Sequence, residues 1–594
     1  MFQNNNLPAK YNAIKDLKID THGFLPIAAA YCNTIGLKDF INELIPSEMN
    51  LSAGVAVQAM VLDVLSGRSP LYRLQDFIDG EDTELLLGED VPTHYFKDMN
   101  IGRVLDKIYN AGTSKILGEL GVKVANIFQL DTSVISYDTT STNVWGEYSN
   151  YSKERKDDAP KIVLGYSKDH RPDLKQFMTE LLCVERGIPI FGKTLDGNSQ
   201  DCNSNNELLS NISSLMSKHG LSEGAFIYVA DAAMVTKDNL NEIGNNLFVS
   251  RLPARYNVCN EAIRESINKD DWTEIGKLAE LINKSNKPTA SYKFNETTIL
   301  LHGKEYRGIV IHSDFYDKRK LKAINKDILK SEQKLLNKLK KINLIFNCEK
   351  DAKVALKNIS KISTLFHELQ TEIITIQTPA PGRIPKNKAR KMNTKFEVKY
   401  TILEKVEFVK TKREEAGCFV LISNTPTTGD EVLTGEQLLK TYKGQYGVES
   451  CFAFIKDPLI VNDTFLKKSE RIDALGMILI IALTIWRLME RSLRAWVSNN
   501  DEELTGWSEK MTDRPTSFMV SKFFYGIMVA KTPENQRFLM TDLNDRNKKY
   551  LEALGLDDSV FTKINSKCTP IIPKISYRQK LLKTNKLELF YYSV

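Results

Sequence analysis

Three carboxylates stand where a carboxylate is costly. Asp138 closes the apolar run VISYD just before the polar stretch TTSTN, and Asp231 closes FIYVAD just before AAMV. A carboxylate at the exit of a buried strand must be solvated, cap a helix or hold a metal. The plain alternative for Asp231 is a cap on the segment that follows, and for Asp138 a turn. The third, Glu449, lies in TYKGQYGVESCFAFIKDP. Drawn as one helix at about 100° per residue, that segment places Tyr442, Gln445, Glu449 and Lys456 within an arc of about 60°. A phenol, an amide, a carboxylate and an ammonium then share a stripe that apolar residues normally own. A solvated polar face is the alternative.

The elements around these residues follow from pattern. Residues 1–115 read as a helical packing or oligomerisation domain. There Ser52 can cap AGVAVQAMVLDVL, and Gly67 and Pro70 end that helix. Residues 116–255 carry strand-like runs rich in Ile, Val, Phe and Tyr. They are Val134–Tyr137, Lys161–Tyr166, Leu181–Glu185, Ile188–Phe191, Phe226–Ala230 and Leu247–Ser250. Between them Leu208, Leu209, Ile212, Leu215 and Met216 recur at helical spacing. The order, a meander of strands and then helix, strand, helix, strand, predicts a mixed α/β sheet covered by helices. Residues 256–429 read as an inserted basic helical and β region. Its Leu321, Ile324, Ile328, Leu335, Leu339 and Ile342 fit a long amphipathic helix, and strands are expected at Phe396–Val409 and Cys418–Ser423. Residues 430–500 return to the core with the Glu449 helix, and 501–594 form a C-terminal, mostly helical region.

Composition narrows the class. The 594 residues are 42% hydrophobic and 26% charged. That excludes a wholly disordered chain, a collagen-like repeat and a polytopic membrane protein. The longest uncharged apolar run, Ala474–Trp486, has 13 residues, where a span needs about 20, so a buried core helix is expected and no membrane partner. The eight cysteines form no CxxC pair and the N-terminus has no apolar signal core. Both point to a reduced, cytoplasmic protein. The net charge of +6 is concentrated: residues 317–361 hold 14 Lys/Arg against 5 Asp/Glu. A second basic stretch, with Arg383, Lys386, Lys388, Arg390 and Lys391, contains no acid. Both suit a DNA backbone track, a solvated helix face being the alternative for the first. The stretch Leu71–Asp98 is the reverse, with eight Asp/Glu against Arg73 and Lys97.

Taken in order, these blocks resemble bacterial insertion-sequence transposases of the DDE type, in the group whose last motif reads Y-x2-R-x3-E-x6-K. Tyr442, Gln445, Glu449 and Lys456 stand at that spacing, with Gln445 where the group has arginine. YDTTSTNVWGEY resembles the block around the first aspartate and IYVADAAMVTKDNL that around the second. GYSKDHRPDLKQ and GIPIFGKTLDGNSQD resemble the strands between, and SPLYRLQDFI, LLGEDVP and IGRVLDKIYNAG the helical leader. The resemblance spans most of residues 20–500.

It implies an RNase H-like mixed five-stranded sheet flanked by helices, with a large insertion before the last catalytic helix and a helical N-terminal domain. It implies that Asp138, Asp231 and Glu449 converge on two Mg²⁺ ions, with Mn²⁺ able to substitute and no small-molecule cofactor. Carboxylate oxygens suit such hard ions, and two ions about 4 Å apart can activate a nucleophile and stabilise a leaving oxygen. By the same resemblance Lys456 holds a DNA phosphate and Tyr442 positions the end nucleotides. Gln445 hydrogen-bonds phosphate without charge, with Arg251 the candidate substitute cation. Trp272 is a candidate to stack on a displaced base, a buried tryptophan being the alternative. His170 and Arg171, beside Asp169 and Asp173, read as a turn or as part of the site. The implied partners are terminal inverted repeats and target DNA, bound by a homodimer. A decayed DNA-binding remnant, and a metal-dependent nuclease without strand transfer, are the rival readings.

Overall fold

The computed structural model describes residues 17–67, 73–146, 148, 158–185, 187–278, 290–314, 318–381, 392–428, 432–456 and 466–579. The chain divides into two compact units, Met1–Pro253 with Ile422–Val594, and Ala254–Leu421.

The first unit is built on five strands: β1 (Val134–Val144), β2 (Lys175–Val184), β3 (Ile188–Leu195), β4 (Ile227–Ala230) and β5 (Leu247–Arg251). They lie side by side in the order β3-β2-β1-β4-β5, but as part of a nine-stranded mixed sheet and not as the separate five-stranded sheet expected. β1, β2 and β3 pair antiparallel as a meander, whereas β4 runs parallel to β1 and β5 parallel to β4. The two parallel strands are short, continuous apolar runs because both faces are covered. Each needs a crossover. Helix α1 (Asp201–Ser217) carries the chain from β3 to β4, and the short helix Lys237–Glu242, capped by Thr236, carries it to β5.

Two strand expectations need correction. The run ending at Asp138 continues to Val144, because β2 pairs with it as far as Val144↔Lys175. The polar TTSTN stretch is threonine-rich and fits a pleated strand as well as a turn. Lys161–Tyr166 forms no strand, only an isolated bridge from Val163 to Gln176.

Helices pack on this sheet and on one another. Ala53–Leu65, capped by Ser52 as expected, is buried at every position. The helix Thr113–Phe128 lies so close to β3 that a Cβ at Gly121 would stand 2.0 Å from the Ile190 carbonyl, which leaves room for glycine alone. Helices α2 (Gly435–Lys443), α3 (Tyr446–Lys456) and α4 (Ser469–Asn500) complete the unit. α4 is long and apolar enough to cross a membrane, but its apolar stretch is wholly buried inside the protein, as in a core helix.

The C-terminal region is mixed rather than mostly helical. Its strands Met528–Lys531 and Arg537–Leu539 form a small sheet with the N-terminal strand Lys18–Thr21. This closure accounts for part of the acidic stretch. Arg537 donates to both oxygens of Asp82 at 2.7 and 2.9 Å and to Glu84 at 2.7 Å.

The second unit contains the hairpins Ser291–Leu301/Lys304–Ser313 and His367–Pro379/Met392–Glu404. The expected amphipathic helix spans Lys318–Leu339 and packs with Glu349–Ile359 through Leu335, Leu339, Ala352 and Ile359, against Leu369 and Val398 of the second hairpin. The strand expected to reach Val409 stops at Glu404. From Val406 to Ala416 the chain is helical, in keeping with its Lys, Arg, Glu and Ala content.

Candidate active site

The parallel pairing of β1 and β4 brings the first two carboxylates together. Their register ends at Ser136↔Val229. Two residues further along each strand stand Asp138 and Asp231, on the same face because side chains alternate. Asp138 accepts from the Thr139 amide at 2.8 Å. Asp231 accepts from the Ala233 amide at 3.0 Å and so also caps the turn after β4. Burial pushes Asp138 up to about 7. Lys168 and the Thr139 amide counter it, while the charges of Asp231 and Asp201 add to it. Burial also raises Asp231, opposed by the Ala233 amide and reinforced by Asp201.

Asp201 and Lys168 belong to this cluster and were not singled out from sequence. Asp201 opens α1 and accepts from Thr139 Oγ1 at 2.5 Å. Lys168 Nζ donates to the Thr139 carbonyl at 2.6 Å and stands 3.5 Å from Asp201. Each has an ordinary local reading, a helix-start acid and a turn lysine. Their only signal was membership of the quoted blocks GYSKDHRPDLKQ and GIPIFGKTLDGNSQD.

The single polar stripe is not a single helix. Thr434 and Gln437 form a capping box that starts α2, α2 stops at Lys443, and α3 begins at Tyr446. Gly444 and Gln445 make the break. α3 is seated on the core by two contacts near Glu449. Arg487 of α4 donates to Ser450 Oγ at 2.5 Å, and Cys451 Sγ donates to the Gly187 carbonyl at 3.0 Å. Gly187, at φ +131°, allows this approach: a Cβ there would lie 2.8 Å from the Gly447 carbonyl.

The structure brings some of the expected residues together and not others. Glu449 is exposed on α3. Partial enclosure raises its carboxyl, and Lys443, at the end of α2, draws it back. Among the described residues no three His, Cys, Asp or Glu side chains are grouped to hold a metal. Asp138 and Asp231 fit one end of a divalent site, as adjacent carboxylates whose raised pKa values a dication would reverse.

Tyr442 links the two parts. Its phenol is pushed up to about 12 by burial, lowered by Arg251, and raised by Asp231, Glu449 and Asp138. Lys443 is lowered by burial and by Arg251. A phenol and two cations therefore border the carboxylates, the residue types that recognise phosphate. Gln445 is buried and donates to the Tyr137 carbonyl at 3.2 Å. Lys456 pairs with Asp169. His170 is exposed with φ 58°, and Arg171 pairs with Asp173 at 2.7 Å, as in a turn. In the second unit Trp272 is half-buried, with Lys293 Nζ 4.9 Å from its ring centroid. Arg383, Lys386, Lys388, Arg390 and Lys391 lie outside the described residues.

Residues 17–122 match the model of a domain of unknown function, DUF4277. That match covers the N-terminal helices and none of the site residues above. The chain matches none of the curated proteins.

Proposed function

We propose that this chain is a DNA transposase of an insertion sequence, acting in the bacterial cytoplasm. It binds terminal inverted repeats, cleaves phosphodiester bonds at the element ends and joins the 3′-OH ends to target DNA, as a homodimer on DNA. The observation that carries the reading is Asp138 beside Asp231 on adjacent parallel strands, with the Glu449 helix packed on the same sheet. Within the nine-stranded sheet the run β3-β2-β1-β4-β5, three antiparallel strands and two parallel, is compatible with an RNase H-like core and supports the reading.

Asp138 and Asp231 would hold Mg²⁺ or Mn²⁺, with Glu449 as the third proposed ligand. Bound divalent ions supply a water activated for attack and charge to stabilise the leaving oxygen. The chain does the rest. Tyr442, with Arg251 beside it, would meet a DNA phosphate near the carboxylates, and Lys443 would keep an anion favourable beside Glu449. Lys456 offers a further phosphate contact once it leaves Asp169. The lysines of Lys318–Leu339 provide a counterion-releasing track for duplex DNA.

A second reading, a DNA-binding remnant without catalysis, is favoured by one observation: among the described residues no three His, Cys, Asp or Glu side chains are grouped to hold a metal. One experiment separates the two. A plasmid carrying the gene with its native flanking DNA is incubated with purified protein and Mg²⁺ or Mn²⁺, beside Glu449→Gln, and breaks are mapped. Breaks at two inverted-repeat ends, absent in the variant, are expected. Specific binding without cleavage by either protein supports the remnant. Equal cleavage by both removes Glu449 from the site.

A further inference from the structure

Gln445 occupies the place where the resemblance calls for a phosphate-binding arginine, yet its surroundings are not those of a DNA ligand. It is 8% exposed. Its Nε2 donates to the carbonyl of Tyr137 at 3.2 Å, across 308 residues of sequence. That carbonyl belongs to the peptide bond that leads into Asp138. At the other end, Gln445 sits in the two-residue break between α2 and α3, four positions before Glu449. A buried amide donor aimed at a buried carbonyl is costly to remove, because the acceptor is then left without its partner. An arginine here would have to bring a charge into the same enclosed space or abandon the strand.

We infer that Gln445 is a positioning residue: a strut that fixes the Glu449 helix against the strand carrying Asp138, and not a contact to DNA. The inference rests on the proposed reading of these carboxylates as a divalent-metal site. α3 is held on the core by Arg487 and Cys451, and Gln445 adds a hydrogen bond from the start of α3 to the strand carrying Asp138. Glutamine gives the strut an uncharged amide of fixed reach, and the cation expected at this position is supplied by neighbouring Lys443 and Arg251. The break at Gly444 and Gln445 serves the same end, since an uninterrupted helix would carry residue 445 on the helix surface and not into the sheet.

The test uses the full-length protein and two variants. Gln445→Met keeps the volume and removes the donor, and Gln445→Arg restores the residue of the family motif. Mn²⁺ alone is titrated calorimetrically, DNA affinity is measured on a duplex bearing the element end across a salt series, and cooperative melting is checked for each protein. The strut predicts that Gln445→Met binds Mn²⁺ roughly tenfold more weakly, needs correspondingly more Mn²⁺ for half-maximal cleavage, and keeps its DNA affinity within about twofold. Gln445→Arg is expected to show the same metal defect, with a salt dependence of DNA binding equal to wild type.

A phosphate role predicts the reverse. Gln445→Arg would then tighten DNA binding and steepen the salt dependence by about one phosphate contact, with Mn²⁺ affinity unchanged, and that result overturns the inference. If Gln445→Met does not melt cooperatively, Gln445→Arg alone decides. Failure of the wider reading looks different: wild type that binds Mn²⁺ but neither cuts nor recognises element ends is no transposase, and the Mn²⁺ shift in Gln445→Met still reports the strut. Equal Mn²⁺ affinity in all three proteins, or none in wild type, removes the strut.

Discussion

Lys456 Nζ lies 2.7 and 3.0 Å from the two carboxylate oxygens of Asp169, so the last residue of α3 is tied to the loop that precedes β2. Both side chains are partly exposed, at 23% and 39%. Such a pair is worth about 0.2–1 kcal/mol. If Lys456 contacts DNA as proposed, a phosphate displaces this pair. Asp169→Asn should therefore tighten binding to element-end DNA by about two- to fivefold, while Lys456→Ala weakens it. Fluorescence anisotropy at constant salt measures both. Unchanged affinity in both variants would leave Lys456 a structural tie.

Asp138 gives the folded chain a pH dependence. Its folded pKa is about 7 against an ordinary 3.8. The folded state holds this proton more tightly than the unfolded state, so stability falls as pH rises from about 4 to about 7 and stays lowered above. At about 1.36 kcal/mol per unit the ceiling is about 4 kcal/mol. In chelator at pH 8, Asp138→Asn should melt a few degrees above wild type, and near pH 4 the two should coincide. Calorimetry across the pH range checks this. A difference independent of pH would mean that the carboxyl is not held in a raised state.

The ion pair between the terminal regions should behave oppositely. Asp82 and Arg537 are each 2% exposed. Burial alone would raise Asp82, but hydrogen bonds and charge from Arg537 bring it down to about 2. Its contribution is present above its ordinary value of 3.8 and is lost as pH falls through that value toward 2. Arg537→Met leaves a buried carboxylate without its main partner and should cost about 3–5 kcal/mol. Adding Asp82→Asn should recover part of that loss in denaturant melts at neutral pH. No recovery would place the cost in lost packing rather than in the stranded charge.

Lys322, Lys326, Lys330, Lys334 and Lys338 recur every fourth residue along the helix Lys318–Leu339, and all are exposed. Each step rises about 6 Å. If this ridge follows a DNA backbone, replacing Lys326, Lys330 and Lys334 by glutamine should cut the slope of log K against log salt by up to about 2.7, at about 0.9 per contact. An unaltered slope would mark the ridge as a solvated face.

What the sequence made legible depended on whether a local pattern had a single physical cause. The parallel strands at Ile227–Ala230 and Leu247–Arg251 stood out because burial on both faces forces unbroken apolar runs. Ser52 announced its helix because few residues satisfy free amides at a helix start. Asp138 and Asp231 were visible as carboxylates at buried strands. Asp201 and Lys168 were not, since their roles arise only when β1, α1 and the loop before β2 meet. The stripe over Tyr442 to Lys456 misled for a related reason: glycine is tolerated within helices, so Gly444 gave no warning that the helix restarts. Gln445 accordingly faces a strand rather than sharing a surface with Glu449. The end of the strand at Glu404 was equally silent, because an alternating pattern ran on for several residues into a segment of helix formers.

Within the first unit, Ser423 Oγ donates to the Phe248 carbonyl at 2.6 Å, and Asn424 bonds both the Phe248 amide and the Asn246 carbonyl. The chain therefore leaves the sheet after β5 and returns beside that strand at nearly one point, with residues 254–421 in between. A detour whose ends touch asks little of its host, since loop-closure entropy grows only with the logarithm of length. The inserted unit is in this sense a cassette. A change in its length or content leaves the strands that align Asp138 with Asp231 in the same register.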